Sequence, residues 1–102
     1  MKKIINGRLY DTDTATKIGN YTNGALPGDF HHFEEDLYQK RNGEFFLVGS
    51  GGALTKYGSY FEGESYSVRD TFIPLTVEKA KKWAEKHLEV DKYIALFGDV
   101  EE

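Results

Sequence analysis

The segment DFHHFEED, residues 29–36, holds the densest group of side chains that could do chemistry in this sequence, with two histidines and four carboxylates. If it forms a β-strand, His32, Glu34 and Asp36 share one face, because successive strand residues point to opposite faces. Carboxylate and imidazole groups gathered on one face can bind a divalent ion or transfer protons. A small metal-dependent enzyme is therefore one hypothesis for this protein.

A solvated strand face explains the same segment without any chemistry, since exposed charges discourage sheets from pairing edge to edge. Adjacent histidines such as His31 and His32 point in different directions and rarely bind one metal. Metal sites usually gather ligands from several elements, and the third histidine, His87, lies on a predicted helix. We favour the solvated face and predict no catalytic residue, metal or cofactor.

The glycine-rich segment GSGG, residues 49–52, follows a predicted strand, which is the setting of a phosphate-binding loop. The Gly-Lys-Ser/Thr sequence of such loops does not follow it, so a bend between two elements is the favoured interpretation. The chain also lacks cysteine and a G-x-S-x-G motif, two common signals of a nucleophilic enzyme. These observations favour a protein that works by binding rather than by catalysis.

Aromatic and acidic side chains indicate where such binding could occur. Tyr57, Tyr60 and Phe61 crowd a polar, glycine-rich segment that is richer in carboxylates than in cations. Exposed aromatic rings there could anchor a protein interface, and burial against the helices is the alternative. The candidate partner-binding residues are Glu34, Glu35, Asp36, Tyr57, Tyr60, Phe61, Glu62 and Glu64. A further acidic cluster consists of Asp99, Glu101 and Glu102.

The composition narrows the kind of partner. The 102 residues fit a single domain, with 13 lysines and arginines against 17 aspartates and glutamates and a net charge of −4. This acidic balance favours basic protein partners and argues against direct binding of duplex DNA, which usually requires a basic surplus. The absence of cysteine, of a signal peptide and of a long apolar run predicts a cytoplasmic protein that does not enter membranes. A monomer and a homodimer fit this composition equally well.

Turn signals predict a β-rich first part of the chain. Asn6-Gly7 and Asn42-Gly43 each lie between strand-like runs, and Asn-Gly is the strongest signal for a two-residue hairpin turn. At the second turn, a loop of that length would pair Tyr38 with Leu47. A helix over residues 30–41 is the competing interpretation, because the apolar residues there also fit helical spacing.

Two helices are predicted near the C-terminus. The segment TVEKAKKWAEKHL, residues 76–88, has an apolar stripe at helical spacing opposite several lysines, with Thr76 as the N-cap. A short second helix is expected from an N-cap at Asp91 to a stop at Gly98, with a final strand as the alternative. The predicted fold class is α+β: a small antiparallel sheet built from hairpins, followed by one long and one short helix packed on one face.

Four segments of the chain resemble a known family: KIINGRLYDTDTA, GEFFLVGSGGALTKY, IPLTVEKAKKWAEKHL and YIALFGDVEE. They are similar to small acidic proteins of phages and mobile elements of Gram-positive bacteria. Some members or relatives of that family are type II-A anti-CRISPR proteins, which inhibit Cas9. The resemblance implies a stoichiometric inhibitor that binds Cas9 or its guide RNA complex and blocks engagement of guide RNA or DNA. The matching segments hold turns, caps and core positions, so the resemblance assigns no functional residue.

An interaction or regulatory module of a mobile element, with a different protein partner, is the alternative function. Because Cas9 holds nucleic acid in positively charged channels, a small acidic protein with exposed aromatic residues fits the first function. Both functions require contact with a protein, and neither requires a cofactor.

Overall fold

The computed structural model describes residues 1–98 and 100–102, so Asp99 of the acidic C-terminal cluster lies outside the described residues. In the described part of the chain, eight strands are followed by two helices. The strands are β1 (Lys2–Ile5), β2 (Arg8–Asp11), β3 (Thr16–Thr22), β4 (Phe33–Gln39), β5 (Phe45–Gly51), β6 (Ser59–Phe61), β7 (Glu64–Tyr66) and β8 (Val68–Leu75). The helices are α1 (Val77–His87) and α2 (Val90–Phe97).

Strands β3, β4, β5 and β8 form one antiparallel sheet in the order β3-β4-β5-β8. The pairs β1-β2 and β6-β7 form two separate hairpins. This arrangement of antiparallel strands and two C-terminal helices confirms the predicted α+β class. It also decides the open question over residues 30–41, since β4 occupies most of that range as a strand.

The four-stranded sheet carries apolar packing on both faces. Helix α1 covers one face, where Trp83 packs with Leu37 and Leu47 in a buried cluster. Hairpin β1-β2 covers the other face, where Tyr10 packs with Phe46 in a second cluster. The helices therefore lie on one side of the sheet, as the sequence predicts, and the first hairpin closes the other side.

The turn between β4 and β5 differs from the predicted two-residue loop. The backbone amide of Lys40 donates to the backbone carbonyl of Glu44 across it at 2.7 Å, and Gly43 adopts a φ of 92°. This longer turn pairs Tyr38 with Phe46 rather than with Leu47. The predicted register is thus wrong by one residue, because a left-handed glycine at the end of the turn adds a residue to the loop.

The first hairpin, the start of α1 and the end of α2 follow their local sequence signals. Asn6 and Gly7 have φ values of 51° and 76°, the conformation that a two-residue hairpin turn requires. The Thr76 side chain accepts a hydrogen bond from the Lys79 amide at 3.2 Å and caps α1 as predicted. Helix α2 begins at Val90, with Glu89 rather than the predicted Asp91 as its N-cap, and it ends at Phe97 with Gly98 as the predicted stop. Over residues 1–98 and 100–102, neither helix is long and apolar enough to cross a bilayer.

Candidate functional site

The residues of the metal-site hypothesis do not converge. His32 precedes β4, and its Nδ1 lies 2.7 Å from the carbonyl oxygen of Ala25. Asp36 accepts a hydrogen bond from Asn20 at 2.7 Å and lies 3.3 Å from the Lys17 ammonium. Within the part of the chain that the structure describes, no group of three or more histidine, aspartate or glutamate side chains is placed to hold a metal ion. This geometry does not support a metal-dependent enzyme.

The third histidine belongs to an aromatic stack. The ring centroid of His87 lies 3.8 Å from that of Tyr21 and 4.9 Å from that of Trp83. Burial is the main reason that the pKa of His87 lies below its usual value. His87 therefore packs as a largely neutral ring on the helix-covered face of the sheet.

Glu35 is the centre of a buried polar network. It is only 2% exposed, although its neighbour Glu34 is exposed. One carboxylate oxygen accepts a hydrogen bond from the Trp83 indole at 3.0 Å. The other accepts a hydrogen bond from the Tyr57 hydroxyl and lies 2.8 Å from the Lys56 ammonium. Both oxygens have partners, so the network satisfies a carboxylate that would otherwise be costly to bury.

The charge states in this network follow from its contacts. Burial alone would raise the pKa of Glu35, but hydrogen bonds from Lys56, Tyr57 and Trp83 and the charge of Lys56 outweigh it. The pKa of Glu35 therefore lies below its usual value. Burial, followed by the hydrogen bond to Glu35, raises the pKa of Tyr57. Glu35 is thus ionised and enclosed at neutral pH, which suits a structural role better than proton transfer to a substrate.

The glycine-rich segment allows this network to form. A side chain at residue 49 would collide with the Tyr57 ring, because Tyr57 lies flat against the backbone of β5 there. A Cβ at residue 52 would lie 2.6 Å from the carbonyl oxygens of Asp29 and Phe30. The glycines thus serve close packing of the segment against the sheet. Residues 49–51 belong to strand β5, so the predicted bend over residues 49–52 is wrong except at Gly52, where the strand has ended.

Hairpin β6-β7 presents the exposed aromatic residues. Every residue of both strands is exposed, with exposed fractions of 73% for Tyr60 and 64% for Phe61. Glu62 and Gly63 form the turn with φ values of 49° and 81°. This hairpin is not among the predicted hairpins, because its turn is Glu-Gly rather than Asn-Gly. The short alternating runs on either side of Gly63 are the signal that could have identified it.

The eight candidate partner-binding residues separate into two groups. Five are exposed, namely Glu34, Tyr60, Phe61, Glu62 and Glu64, and Asp36 is half-buried. Glu35 and Tyr57 are buried and bonded to each other, so the prediction that they present themselves to a partner is corrected. The error arises because strand alternation sends Glu35 inward and glycine 49 admits the Tyr57 ring beneath the surface.

Exposed aliphatic and aromatic residues that the sequence analysis did not select lie on two loops beside this hairpin. Leu26 and Phe30 lie between β3 and β4, and Leu54 lies between β5 and β6. The amide of Leu54 donates to the carbonyl of Phe30 at 2.9 Å, which joins the two loops. Each of them is a large apolar residue in a polar, glycine-rich loop, and the sequence does not reveal that the two loops meet.

Charge is distributed unequally between the two ends of the sheet. The end where β4 begins carries Asp29, Glu34 and the carboxylates of hairpin β6-β7. The opposite end, where β4 meets the turn to β5, carries Arg8, Lys40 and Arg41, with Glu44 paired to Arg8 and Lys40. The exposed aromatic hairpin therefore lies at the acidic end.

Comparisons of this chain with protein-family models, with curated proteins and with solved structures found no match.

Proposed function

We propose that this protein acts without catalysis, by binding a basic protein surface through hairpin β6-β7. The observation that carries the proposal is the exposure of Tyr60 and Phe61 on opposite faces of a hairpin whose turn and second strand carry Glu62 and Glu64. Aromatic residues dominate the energy of many interfaces, and large exposed rings are uncommon without such a role. A two-stranded hairpin is also marginally stable alone, so contact with a partner would stabilise it.

The nearby charges support a basic partner. Glu62 and Glu64 have exposed side chains and lie at the acidic end of the sheet. Carboxylates beside an apolar contact attract lysine and arginine during encounter and repel phosphate groups. A basic protein surface is therefore favoured over direct contact with nucleic acid.

The first partner to test is a type II-A Cas9. The resemblance of four segments to phage and mobile-element proteins related to Cas9 inhibitors supports this choice. Cas9 also holds its guide RNA and target DNA in positively charged channels that an acidic, aromatic hairpin could enter. In this proposal the protein acts in the cytoplasm of the bacterial host, binds Cas9 stoichiometrically and blocks engagement of guide RNA or DNA.

A cleavage titration tests the proposal. Purified protein is added to a type II-A Cas9 either before or after the guide RNA, and cleavage of a DNA target is measured. We expect inhibition that saturates near one protein per nuclease, and the order of addition identifies the blocked step. Full cleavage at excess inhibitor across several Cas9 orthologues would reject Cas9 as the partner and leave a mobile-element module with another protein partner.

Paired hairpin variants test the contact itself. Replacing Tyr60 and Phe61 by serine should weaken inhibition about thirtyfold or more for each ring that lies in the contact, because a buried aromatic anchor contributes about 2 kcal/mol or more. The matched control replaces Ile4 and Leu9, an exposed apolar pair on hairpin β1-β2. Equal inhibition by both variants would exclude hairpin β6-β7 as the contact.

A further inference from the structure

Leu26, Phe30 and Leu54 are exposed large apolar residues on two loops that meet. In the described part of the chain they lie outside hairpins β1-β2 and β6-β7. Their exposed fractions are 77%, 67% and 58%. We call the two loops that carry them, residues 23–32 and 52–58, the loop platform. Three large apolar side chains so exposed on adjoining loops are unfavourable in water and are typical of an interaction surface.

The two loops of the platform are held together by backbone hydrogen bonds. The amide of Gly52 donates to the carbonyl of His32 at 2.8 Å, in addition to the bond between Leu54 and Phe30. Only glycine fits at residue 52, since a Cβ there would lie 2.6 Å from two carbonyl oxygens of the facing loop. The loops are therefore in close contact along their backbones.

Side-chain bonds fix the first loop from within. The Asn23 amide nitrogen donates to the carbonyl of His31 at 2.6 Å, and its oxygen accepts from the Phe33 amide at 3.2 Å. The Asp29 carboxylate accepts from the His31 amide at 2.7 Å. Because the loop is ordered before any partner arrives, association does not need to order it, which favours binding.

The platform continues into hairpin β6-β7. The chain passes from Gly58, which lies against the backbone of Ala53, directly into β6 at Ser59. Tyr57, on the same segment, is anchored to Glu35 in the sheet. The platform and the hairpin therefore lie at the same end of the molecule. The segment that joins them is held to the sheet by the bond between Tyr57 and Glu35.

Acidic side chains outnumber basic ones at this end, where Arg69 at the start of β8 is an exposed cation. Asp29 and Glu34 border the first loop, and Glu62 and Glu64 lie on the hairpin. Lys56 is directed to Glu35, at 2.8 Å, so its charge is largely compensated. The charge pattern is an apolar centre with a negative border, which complements a partner with apolar side chains flanked by lysine or arginine.

We infer that the loop platform is a preorganised docking surface for a protein segment that combines apolar side chains with flanking lysine or arginine residues. This inference rests on the proposal that the protein works by binding a basic protein, and it places the apolar centre of the interface at Leu26, Phe30 and Leu54. Hairpin β6-β7 then forms one side of the same interface rather than the whole of it.

The test uses a synthetic peptide of alternating leucine and lysine as the probe, so that it does not depend on Cas9. Amide chemical shifts of the isotope-labelled protein are followed as the peptide is added. A peptide of alternating leucine and glutamate is the matched control. We expect shifts confined to residues 26–34 and 52–66 with the lysine peptide, weakened by added salt, and no saturating shifts with the glutamate peptide.

Variants identify the side chains that make the contact. Replacing Phe30 and Leu54 by serine should weaken lysine-peptide binding about tenfold or more for each side chain, since each would lose the apolar area that it buries in the complex. The control variant carries Ile4→Ser and Leu9→Ser and should bind the lysine peptide within about twofold of the original protein. Thermal melts check that all variants are folded, which the exposure of these side chains favours.

Each result has a definite meaning. Equal binding of both peptides, shifts at hairpin β1-β2, or unchanged binding by the Phe30 and Leu54 variant would overturn the inference. A dimer that dissociates when Phe30 and Leu54 are replaced would also overturn it, because the occupant would then be a second copy of the chain. If the peptide binds as expected and Cas9 is not inhibited, the docking surface stands and Cas9 is rejected as its partner.

Discussion

Glu34 and Glu35 are adjacent and chemically alike, yet they have opposite environments. Strand alternation directs Glu34 to solvent and Glu35 into the sheet, where it is 2% exposed. An ionised carboxylate in that position depends on Lys56, Tyr57 and Trp83 for its hydrogen bonds. At the residue scale, the difference between a surface charge and a structural one is therefore set by the face of a single strand.

The variant Glu35→Gln should be destabilised by about 1–3 kcal/mol, because the amide cannot satisfy the same donors and removes the partner of Lys56. Glu34→Gln is the matched control and should change the free energy of unfolding by less than about 0.5 kcal/mol. Urea denaturation at neutral pH measures both. Equal stability of the two variants would show that the buried network contributes nothing specific.

The pH dependence gives a second readout of the same prediction. Because the pKa of Glu35 in the folded protein is below its unfolded value, its stabilising contribution is complete above the unfolded pKa. That contribution is lost as the pH falls through the folded pKa, where the carboxylate becomes protonated. The free energy of unfolding of Glu35→Gln should therefore fall less steeply on acidification than that of the original protein.

At the scale of elements, the segment between β5 and β6 links the sheet to the proposed binding surface. Glycine 49 lets the Tyr57 ring lie on the β5 backbone, and glycine 52 lets the two platform loops meet. Tyr57 in turn bonds to Glu35 on β4. A glycine-rich sequence of this kind can form a phosphate-binding loop or can allow close packing. The contacts here favour close packing.

Gly49→Ala should destabilise the protein by about 1–3 kcal/mol or more, because the new methyl group overlaps the Tyr57 ring. In a background that carries Tyr57→Ala, the same substitution should cost less than about 0.5 kcal/mol, since the obstructing ring is gone. Chemical denaturation of the four proteins in this double-mutant cycle measures the coupling. Additive effects of the two substitutions would contradict the described contact.

At the scale of the whole molecule, stability and binding are assigned to different regions. Strand β5 pairs with a strand on each side, and most of its residues are buried. Hairpin β6-β7 pairs with no other strand in the described chain, and all of its residues are exposed. The molecule measures 48 × 34 × 20 Å, and the sheet and the hairpin that we propose as a binding surface are separate parts of it.

Amide hydrogen exchange should reveal this division. The amides of β5 should exchange most slowly, by global unfolding, and those of β6 and β7 should exchange through local opening with little protection. Addition of a binding partner should slow exchange in the hairpin and leave β5 nearly unchanged. Strong protection of the free hairpin would contradict the proposal that its stability depends on a partner.

The sequence by itself determined the features that depend on neighbouring residues. The Asn6-Gly7 turn, the Thr76 cap and the stop at Gly98 rest on local backbone preferences, so they and the α+β class could be predicted. The turn at Asn42-Gly43 was found, but its length was not, because a left-handed glycine fits two different loop types. The register of β4 and β5 followed from that choice.

Only the tertiary structure decided the positions of Glu35 and of the loop platform. Tyr57 and Trp83 lie 22 and 48 residues from Glu35 along the chain, and no local pattern brings them together. Likewise, Phe30 and Leu54 meet only because β4 and β5 pair in one register. Such contacts form when long-range packing closes the sheet. For this reason, two of the eight candidate residues are buried in the Glu35 network, although the sequence predicts all eight as one kind of site.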